Sequence, residues 1–149
     1  NLGYAYENGQ GVAQDYEKAF YWYQKAAAQG NTSGQNNLGD CYDMGHGVPQ
    51  DYEKSFYWYE KAAERGNTSA QKNLGYAYEN GRGVKQNYEK AVYWYDKAAR
   101  KGNATAQNNL AYAYQHGRGV AKSVEAAVYW YDKAAKNGNE AAKKALSKL

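Results

Sequence analysis

The sequence repeats the same residues at intervals of 36 positions, and this period constrains the fold more than any other feature. Leucine recurs at Leu2, Leu38, Leu74, Leu110 and Leu146, and tryptophan recurs at Trp22, Trp58, Trp94 and Trp130. Paired glycines keep the same spacing at Gly9 and Gly11, Gly45 and Gly47, Gly81 and Gly83, and Gly117 and Gly119. A period of about 20–50 residues is typical of proteins in which one supersecondary unit is stacked repeatedly.

Each 36-residue unit has the pattern of two helices joined by a glycine turn. In residues 31–66, Leu38, Cys41 and Tyr42 share one helical face, because they are three and four positions apart. The segment around Gly45 and Gly47 interrupts this helix, since glycine adopts positive φ angles easily. A good N-capping residue then precedes the second helix in every unit. These four residues are Asp15, Asp51, Asn87 and Ser123.

The second helix carries a wide apolar stripe opposite a charged face. In residues 31–66 the stripe consists of Tyr52, Ser55, Phe56, Trp58, Tyr59, Ala62 and Ala63. No segment shows the alternation of period two that strands require. Because one helix pair cannot bury such a stripe alone, neighbouring pairs must stack. The sequence therefore predicts a single all-α solenoid domain, divided as 1–30 (a truncated repeat), 31–66, 67–102, 103–138 and a C-terminal capping helix at 139–149.

Composition and motifs argue against several functional classes. The net charge of +4 is too small to indicate a nucleic-acid surface, and no apolar run approaches the roughly 20 residues that a membrane span needs. The only cysteine, Cys41, and the histidines His46 and His116 do not have zinc-site spacing. No carboxylate pair is singled out for acid–base chemistry, and the glycine turns lack the context of a nucleotide loop. We therefore expect no enzyme activity and no catalytic, cofactor or metal site.

The repeated motif resembles the Sel1-like repeat, a relative of the tetratricopeptide repeat. It reads Leu-Gly-x-x-Tyr-x-x-Gly-x-Gly-Val, then Asp-Tyr-x-Lys-Ala-x-x-Trp-Tyr-x-Lys-Ala-Ala-x-x-Gly. In residues 31–66 its clearest elements are Leu38, Gly45, Gly47, Trp58 and Gly66. Departures are minor, as where Ala111 replaces the glycine after leucine. The resemblance covers essentially the whole chain and implies a right-handed superhelical solenoid that acts as a scaffold or adaptor for proteins.

The resemblance also places the first helix of each unit on the concave side, which is where we expect a partner to bind. Helical geometry directs three positions of this helix away from the buried leucine. Tyrosine is frequent at the central position, and it suits binding because it combines a large rigid surface with a hydroxyl. The alternative is that these tyrosines pack against neighbouring units. The predicted partner-binding residues are Tyr4, Asn36, Asp40, Asp43, Lys72, Tyr76, Glu79, Asn108 and Tyr112.

Three functions remain open from the sequence. The first is a non-catalytic scaffold that binds a protein or peptide segment, without nucleic acid and without membrane insertion. The second is a module of a cell envelope that binds a glycan or a small ligand. The third is an engineered, consensus-like scaffold without a natural ligand, because the units are unusually alike. We also expect self-association through apolar surface around Leu2 and Tyr6, which a strict monomer in light scattering would contradict.

Overall fold

A computed structural model describes residues 1–149 and contains nine α-helices and no strand, which confirms the predicted all-α class. Seven of the helices have the same length of 13 residues, as a regular repeat requires. The helices are α1 (Leu2–Asn8), α2 (Tyr16–Ala28), α3 (Thr32–Met44), α4 (Tyr52–Glu64), α5 (Thr68–Asn80), α6 (Tyr88–Arg100), α7 (Ala104–His116), α8 (Val124–Lys136) and α9 (Glu140–Ser147).

The chain divides into two compact units. The first unit comprises residues 1–70 and 82–84, and the second unit comprises residues 71–81 and 85–149. In the first unit α1 packs on α2, α2 on α3 and α3 on α4. In the second unit α6 packs on α7, α7 on α8 and α8 on α9. Within each unit these consecutive helices pack on one another, which is the arrangement that a helical repeat predicts.

The core of the first unit is built from the residues that recur in the sequence. Tyr23 is fully buried there, together with Leu38 and Cys41. Small alanines, among them Ala19 and Ala27, let the helices approach closely around these larger side chains. The tryptophans, which the apolar stripe assigns to the core, differ from one another in burial. Trp130 is buried, whereas Trp22, Trp58 and Trp94 are half-buried.

The predicted capping residues begin the second helices. The side chain of Asp51 accepts a hydrogen bond of 3.1 Å from the backbone N–H of Lys54. Asp15, Asn87 and Ser123 accept equivalent bonds from the third residue of their own helices. Such a bond satisfies an N–H group that has no partner inside the helix and contributes about 1 kcal/mol. The helix boundaries therefore follow directly from the local sequence.

The glycine turn of one repeat packs against the second helix of the preceding repeat. Gly83 has a φ of 73°, and a Cβ atom placed on it would lie 2.5 Å from the carbonyl carbon of Tyr52. Gly119 approaches the backbone of Tyr88 in the same way. The residue before each of these glycines lies over the ring of the same tyrosine, as the guanidinium of Arg82 does over Tyr52 at 5.1 Å. The turn therefore lies so close to this helix that there is no room for a side chain on the glycine.

Candidate functional site

Three tyrosines on the first helices remain accessible although most of their neighbours in sequence are buried. Tyr4 is 50% exposed, Tyr76 is 42% exposed and Tyr112 is 41% exposed. Tyr112, for example, lies between Ala111 and Ala113, both of which are buried. The helical period turns these alanines inward and the tyrosine outward.

The other predicted partner-binding residues are in varied surroundings. Asn36 is buried, with only 7% of its surface exposed, whereas Lys72 and Asn108 are half-buried. Asp40 accepts a hydrogen bond of 2.5 Å from the hydroxyl of Tyr59. Asp43 lies 3.6 Å from the guanidinium of Arg82. Both carboxylates are therefore held by side chains within the first unit. Of the five predicted residues in the second unit, three line one cleft, namely Glu79, Asn108 and Tyr112.

A buried tyrosine of the second helix lies beneath this face in every repeat. The hydroxyl of Tyr23 donates a hydrogen bond of 2.6 Å to the carboxylate of Glu7. The hydroxyl of Tyr131 donates one of 2.8 Å to the side-chain oxygen of Gln115. Burial, reinforced by nearby carboxylates, raises the pKa of Tyr23, Tyr59 and Tyr95 well above the usual range of a phenol. These groups therefore stay protonated and act as hydrogen-bond donors.

The second unit contains a polar cleft on this face. Its volume is about 270 Å³, and Glu79, Asn108, Asn109, Tyr112 and Arg118 line it. The guanidinium of Arg118 lies 5.3 Å from the ring centroid of Tyr112, which places a cation on the aromatic face. The cleft thus combines a cation, an anion, two amides and an aromatic ring.

Asn109 and Arg118 are not among the partner-binding residues predicted from the sequence. Arg118 belongs to the glycine turn between α7 and α8, whereas the predicted partner-binding residues all lie on the first helices of the units. Its side chain nevertheless reaches the face of the first helix, where it contacts Tyr112. A signal was present in the sequence, because the same turn position holds Gln10 and His46 in the first two repeats and arginine only in the last two.

A second row of exposed tyrosines lies on the second helices, and its rings contact aromatic and basic side chains, as the ring of Tyr112 also does. Tyr93 contacts Trp94 edge-on at 5.1 Å, and the ammonium of Lys97 lies 5.2 Å from the ring of Tyr93. The same trio of tyrosine, tryptophan and lysine recurs in the other three repeats. Each tyrosine is therefore held between a tryptophan and a lysine of its own helix.

The groups most often used in catalysis and metal binding are dispersed. Burial, with contributions from Glu7 and Asp40, raises the pKa of the Cys41 thiol to about 12, so the nucleophilic thiolate is strongly disfavoured. His46 stacks on Tyr16 at 4.0 Å. No group of three His, Cys, Asp or Glu side chains is arranged to hold a metal ion. No helix is long and apolar enough to cross a membrane.

The chain matches one protein family along nearly its whole length. The Sel1 repeat model matches it four times, at residues 1–31, 32–67, 68–103 and 104–139. A comparison with curated proteins finds none that matches.

Several solved structures are similar to this chain. One is a protective antigen present in uropathogenic Escherichia coli strains that displays an SLR fold, with 43% identity and a TM-score of 0.93. Another is a Sel1 repeat protein from Oxalobacter formigenes, with 40% identity and a TM-score of 0.92. The chain is covered to 99% in both comparisons, but it spans only 32% and 60% of those proteins.

A third similar structure is close to this chain in length. It is the cysteine-rich protein B of Helicobacter pylori, with 30% identity and a TM-score of 0.70. That match covers 89% of this chain and 96% of the other. Four consecutive repeat matches and these structural similarities lead to one conclusion: the chain belongs to the Sel1 repeat family.

Proposed function

We propose that this chain is a non-catalytic scaffold or adaptor that binds a protein or peptide segment through the exposed face of its first helices. Sel1 repeat proteins are generally non-catalytic scaffolds that bind other proteins. The observation that carries the proposal for this chain is the exposure of Tyr76 and Tyr112 at the same repeat position. An accessible tyrosine at a fixed position is a typical binding anchor.

The rigidity of the helices supports this function. The tyrosines lie on 13-residue helices, so their positions are set by the backbone and not by mobile loops. A receptor that is ordered before binding loses little conformational entropy when its partner binds. In the second unit, the polar cleft beside Tyr112 also offers hydrogen-bonding groups next to the aromatic ring. Aromatic anchors beside polar groups are typical of surfaces that bind peptides specifically.

We expect the double variant Tyr76→Ala with Tyr112→Ala to weaken peptide binding at least about tenfold, since truncating an aromatic anchor typically costs more than 1 kcal/mol. The probe is a set of random-sequence peptides selected by display on the intact chain. Isothermal titration calorimetry then measures the affinity of the selected peptides for the intact chain and for the variant. Circular dichroism verifies that both are folded.

The matched control is Tyr93→Ala with Tyr129→Ala, which truncates two tyrosines on the second helices that are at least as accessible. We expect this control to retain its affinity for the selected peptides. If the control loses binding and the first-helix variant does not, the binding face has been assigned to the wrong helices. Failure to select any peptide would count against the proposed function itself.

A further inference from the structure

One arginine of the second unit lies at the candidate face without a carboxylate partner. Arg118 is exposed, and the central carbon of its guanidinium lies 5.5 Å from the ring centroid of Tyr88 and 5.3 Å from that of Tyr112. It forms no ion pair within the chain. Two aromatic rings therefore hold a planar cation at the polar cleft, and its N–H groups have no carboxylate to bind.

The first unit contains the same arrangement with the carboxylate present. Arg82 occupies the equivalent position of its turn, and its guanidinium lies over the ring of Tyr52, the residue equivalent to Tyr88. A guanidinium nitrogen of Arg82 lies 3.6 Å from the carboxylate of Asp43, which belongs to α3, a first helix. An arginine in this position therefore binds a carboxylate on the face of the first helices.

In the second unit the carboxylate equivalent to Asp43 already has another partner. This carboxylate belongs to Glu79. Burial, then the charge of Glu79 and the interaction of its carboxylate with the phenol hydroxyl, raise the pKa of Tyr95. Glu79 is 16 positions before Tyr95, which is also the separation in the hydrogen-bonded pair of Tyr23 and Glu7. Glu79 is therefore the partner of the buried hydroxyl of Tyr95 and forms no ion pair with the arginine.

One difference in sequence explains why the two units differ. The helix α3 supplies two carboxylates: Asp40 accepts a hydrogen bond from the hydroxyl of Tyr59, and Asp43 is left for Arg82. In the second unit Tyr76 occupies the position equivalent to Asp40, so α5 supplies one carboxylate for two donors. The second unit thus has the arginine and the phenol of this arrangement but one carboxylate fewer.

We propose that Arg118 binds the side-chain carboxylate of an aspartate or glutamate in the bound peptide segment. This inference rests on the proposed function. The guanidinium donates two parallel N–H groups to the two carboxylate oxygens, a geometry for which arginine is well suited. The carboxamide of Asn108 lines the same cleft and can donate a further hydrogen bond. The precedent, Asp43, is a side chain within a continuing helix, and this favours a side chain of the partner over its chain end.

The first unit also shows that a second carboxylate is tolerated beside the first. Asp40 and Asp43 are three positions apart on one helix, and one phenol hydroxyl and one guanidinium bind them. A ligand carboxylate on Arg118, next to Glu79, would reproduce this set of four groups. An ammonium group would be repelled by the guanidinium, and a neutral amide lacks the charge that strengthens a hydrogen bond to arginine. Charge complementarity therefore favours an acidic side chain over lysine and glutamine.

The direct test titrates three small probes into the full ¹⁵N-labelled chain, and NMR follows the Nε–H signal of Arg118. Acetyl-glutamate methylamide carries a side-chain carboxylate, acetyl-glutamine methylamide is its neutral counterpart, and acetyl-glutamine carries a carboxylate only at its chain end. We expect the glutamate probe to bind at least about fivefold more tightly than either of the other two. Equal affinities, tightest binding of acetyl-glutamine, or no binding of any probe would each overturn the proposal.

Two variants separate the assigned contact from the general charge of the chain. Arg118→Gln removes the cation of the cleft, and we expect the affinities for the glutamate probe and its neutral counterpart to become equal within about twofold. The matched control is Lys122→Gln, which removes the same charge from an exposed residue of the same turn that does not line the cleft. This control should retain the fivefold preference, and an equal loss in both variants would contradict the assignment to Arg118. For the variants, the same probes are titrated by isothermal titration calorimetry, and circular dichroism verifies that both are folded.

The peptides selected by display distinguish this inference from the proposed function. We expect them to contain an aspartate or glutamate whose replacement by its amide weakens binding about fivefold to the intact chain but not to Arg118→Gln. If the peptides depend on Tyr76 and Tyr112 but tolerate replacement of every acidic residue, the scaffold function stands and the carboxylate site is wrong. If no peptide is selected but the glutamate probe binds through Arg118, the carboxylate site stands and the scaffold function is wrong.

Discussion

Gly83→Ala is expected to lower the free energy of unfolding by about 2–5 kcal/mol, a large part of the 5–15 kcal/mol typical of a domain. The methyl group would lie 2.5 Å from the carbonyl carbon of Tyr52 and 2.9 Å from the amide nitrogen of Glu53, with the Tyr52 oxygen closer still. These are backbone atoms of a capped helix, so they cannot rotate away as a side-chain tip could. The substitution also requires alanine to adopt a φ of 73°, which costs about 1–2 kcal/mol.

Gly11→Ala is the matched control, since it occupies the same position of the first repeat. Its φ is 76°, but no atom lies within 4 Å of the added methyl group. We expect Gly11→Ala to lower the free energy of unfolding only by the cost of placing alanine at a positive φ angle, which is about 1–2 kcal/mol. Urea unfolding followed by circular dichroism measures both variants. Equal losses would show that the turn requires glycine for its backbone conformation alone and not for contact with the preceding repeat.

This pair of glycines shows where prediction from the sequence ends. The glycine turn was predicted from local pattern, and Gly11 and Gly83 do have the positive φ angles that such a turn needs. Their difference is tertiary, because only Gly83 meets a helix contributed by residues about 30 positions earlier. The period of the sequence predicts that units stack, but not which atoms meet.

Ala111 shows the same limit from the opposite side. It occupies the position that Gly39 occupies two repeats earlier. A methyl group on Gly39 would lie 2.7 Å from the ring of Tyr59. Ala111 is nevertheless fully buried in the second unit. The atoms that a methyl group meets at this position belong to an aromatic side chain and not to the backbone. An aromatic side chain can shift by a few tenths of an ångström to make room. The two kinds of glycine look equally regular in the sequence but tolerate substitution differently.

The candidate face was predictable from the sequence, whereas the pairing beneath it was not. Tyr23 and Tyr131 bond to a residue 16 positions earlier, and the same register would pair Tyr59 with Asp43. The structure pairs Tyr59 with Asp40, 19 positions earlier, while Asp43 meets Arg82. The choice depends on a side chain from the next turn, so helical geometry within one repeat does not determine it.

The buried phenols and the thiol also make the fold sensitive to alkaline pH. Burial raises the pKa of Tyr23, Tyr59 and Tyr95, and it raises that of Cys41 from 9.0 to about 12. Between the ordinary and the raised pKa the folded chain binds more protons than the unfolded chain, so stability falls as pH rises. The loss begins near pH 9 for the thiol and near pH 10 for the phenols, and below pH 8 it is absent.

We therefore expect cooperative loss of helical structure between about pH 10 and pH 12. At pH 11 this effect lowers the free energy of unfolding by about 1 kcal/mol for each phenol and by about 2 kcal/mol for the thiol, after allowance for solvent screening. Together these losses approach the stability of a small domain. Circular dichroism measures the helices, and absorbance at about 295 nm measures tyrosinate. The exposed tyrosines should ionise before the transition and the buried ones with it.

Cys41→Ala isolates the thiol, because alanine already occupies the equivalent positions Ala5, Ala77 and Ala113. This variant should be within about 1 kcal/mol of the original chain at pH 7, where the thiol is neutral in both states. At pH 11 the free energy of unfolding of this variant should exceed that of the original chain by about 2 kcal/mol. The midpoint of its alkaline unfolding should therefore lie at a higher pH. If the midpoint does not move, the thiol does not contribute and the phenols alone govern the transition. If the helices persist above pH 12, burial of these groups is less complete than their packing indicates.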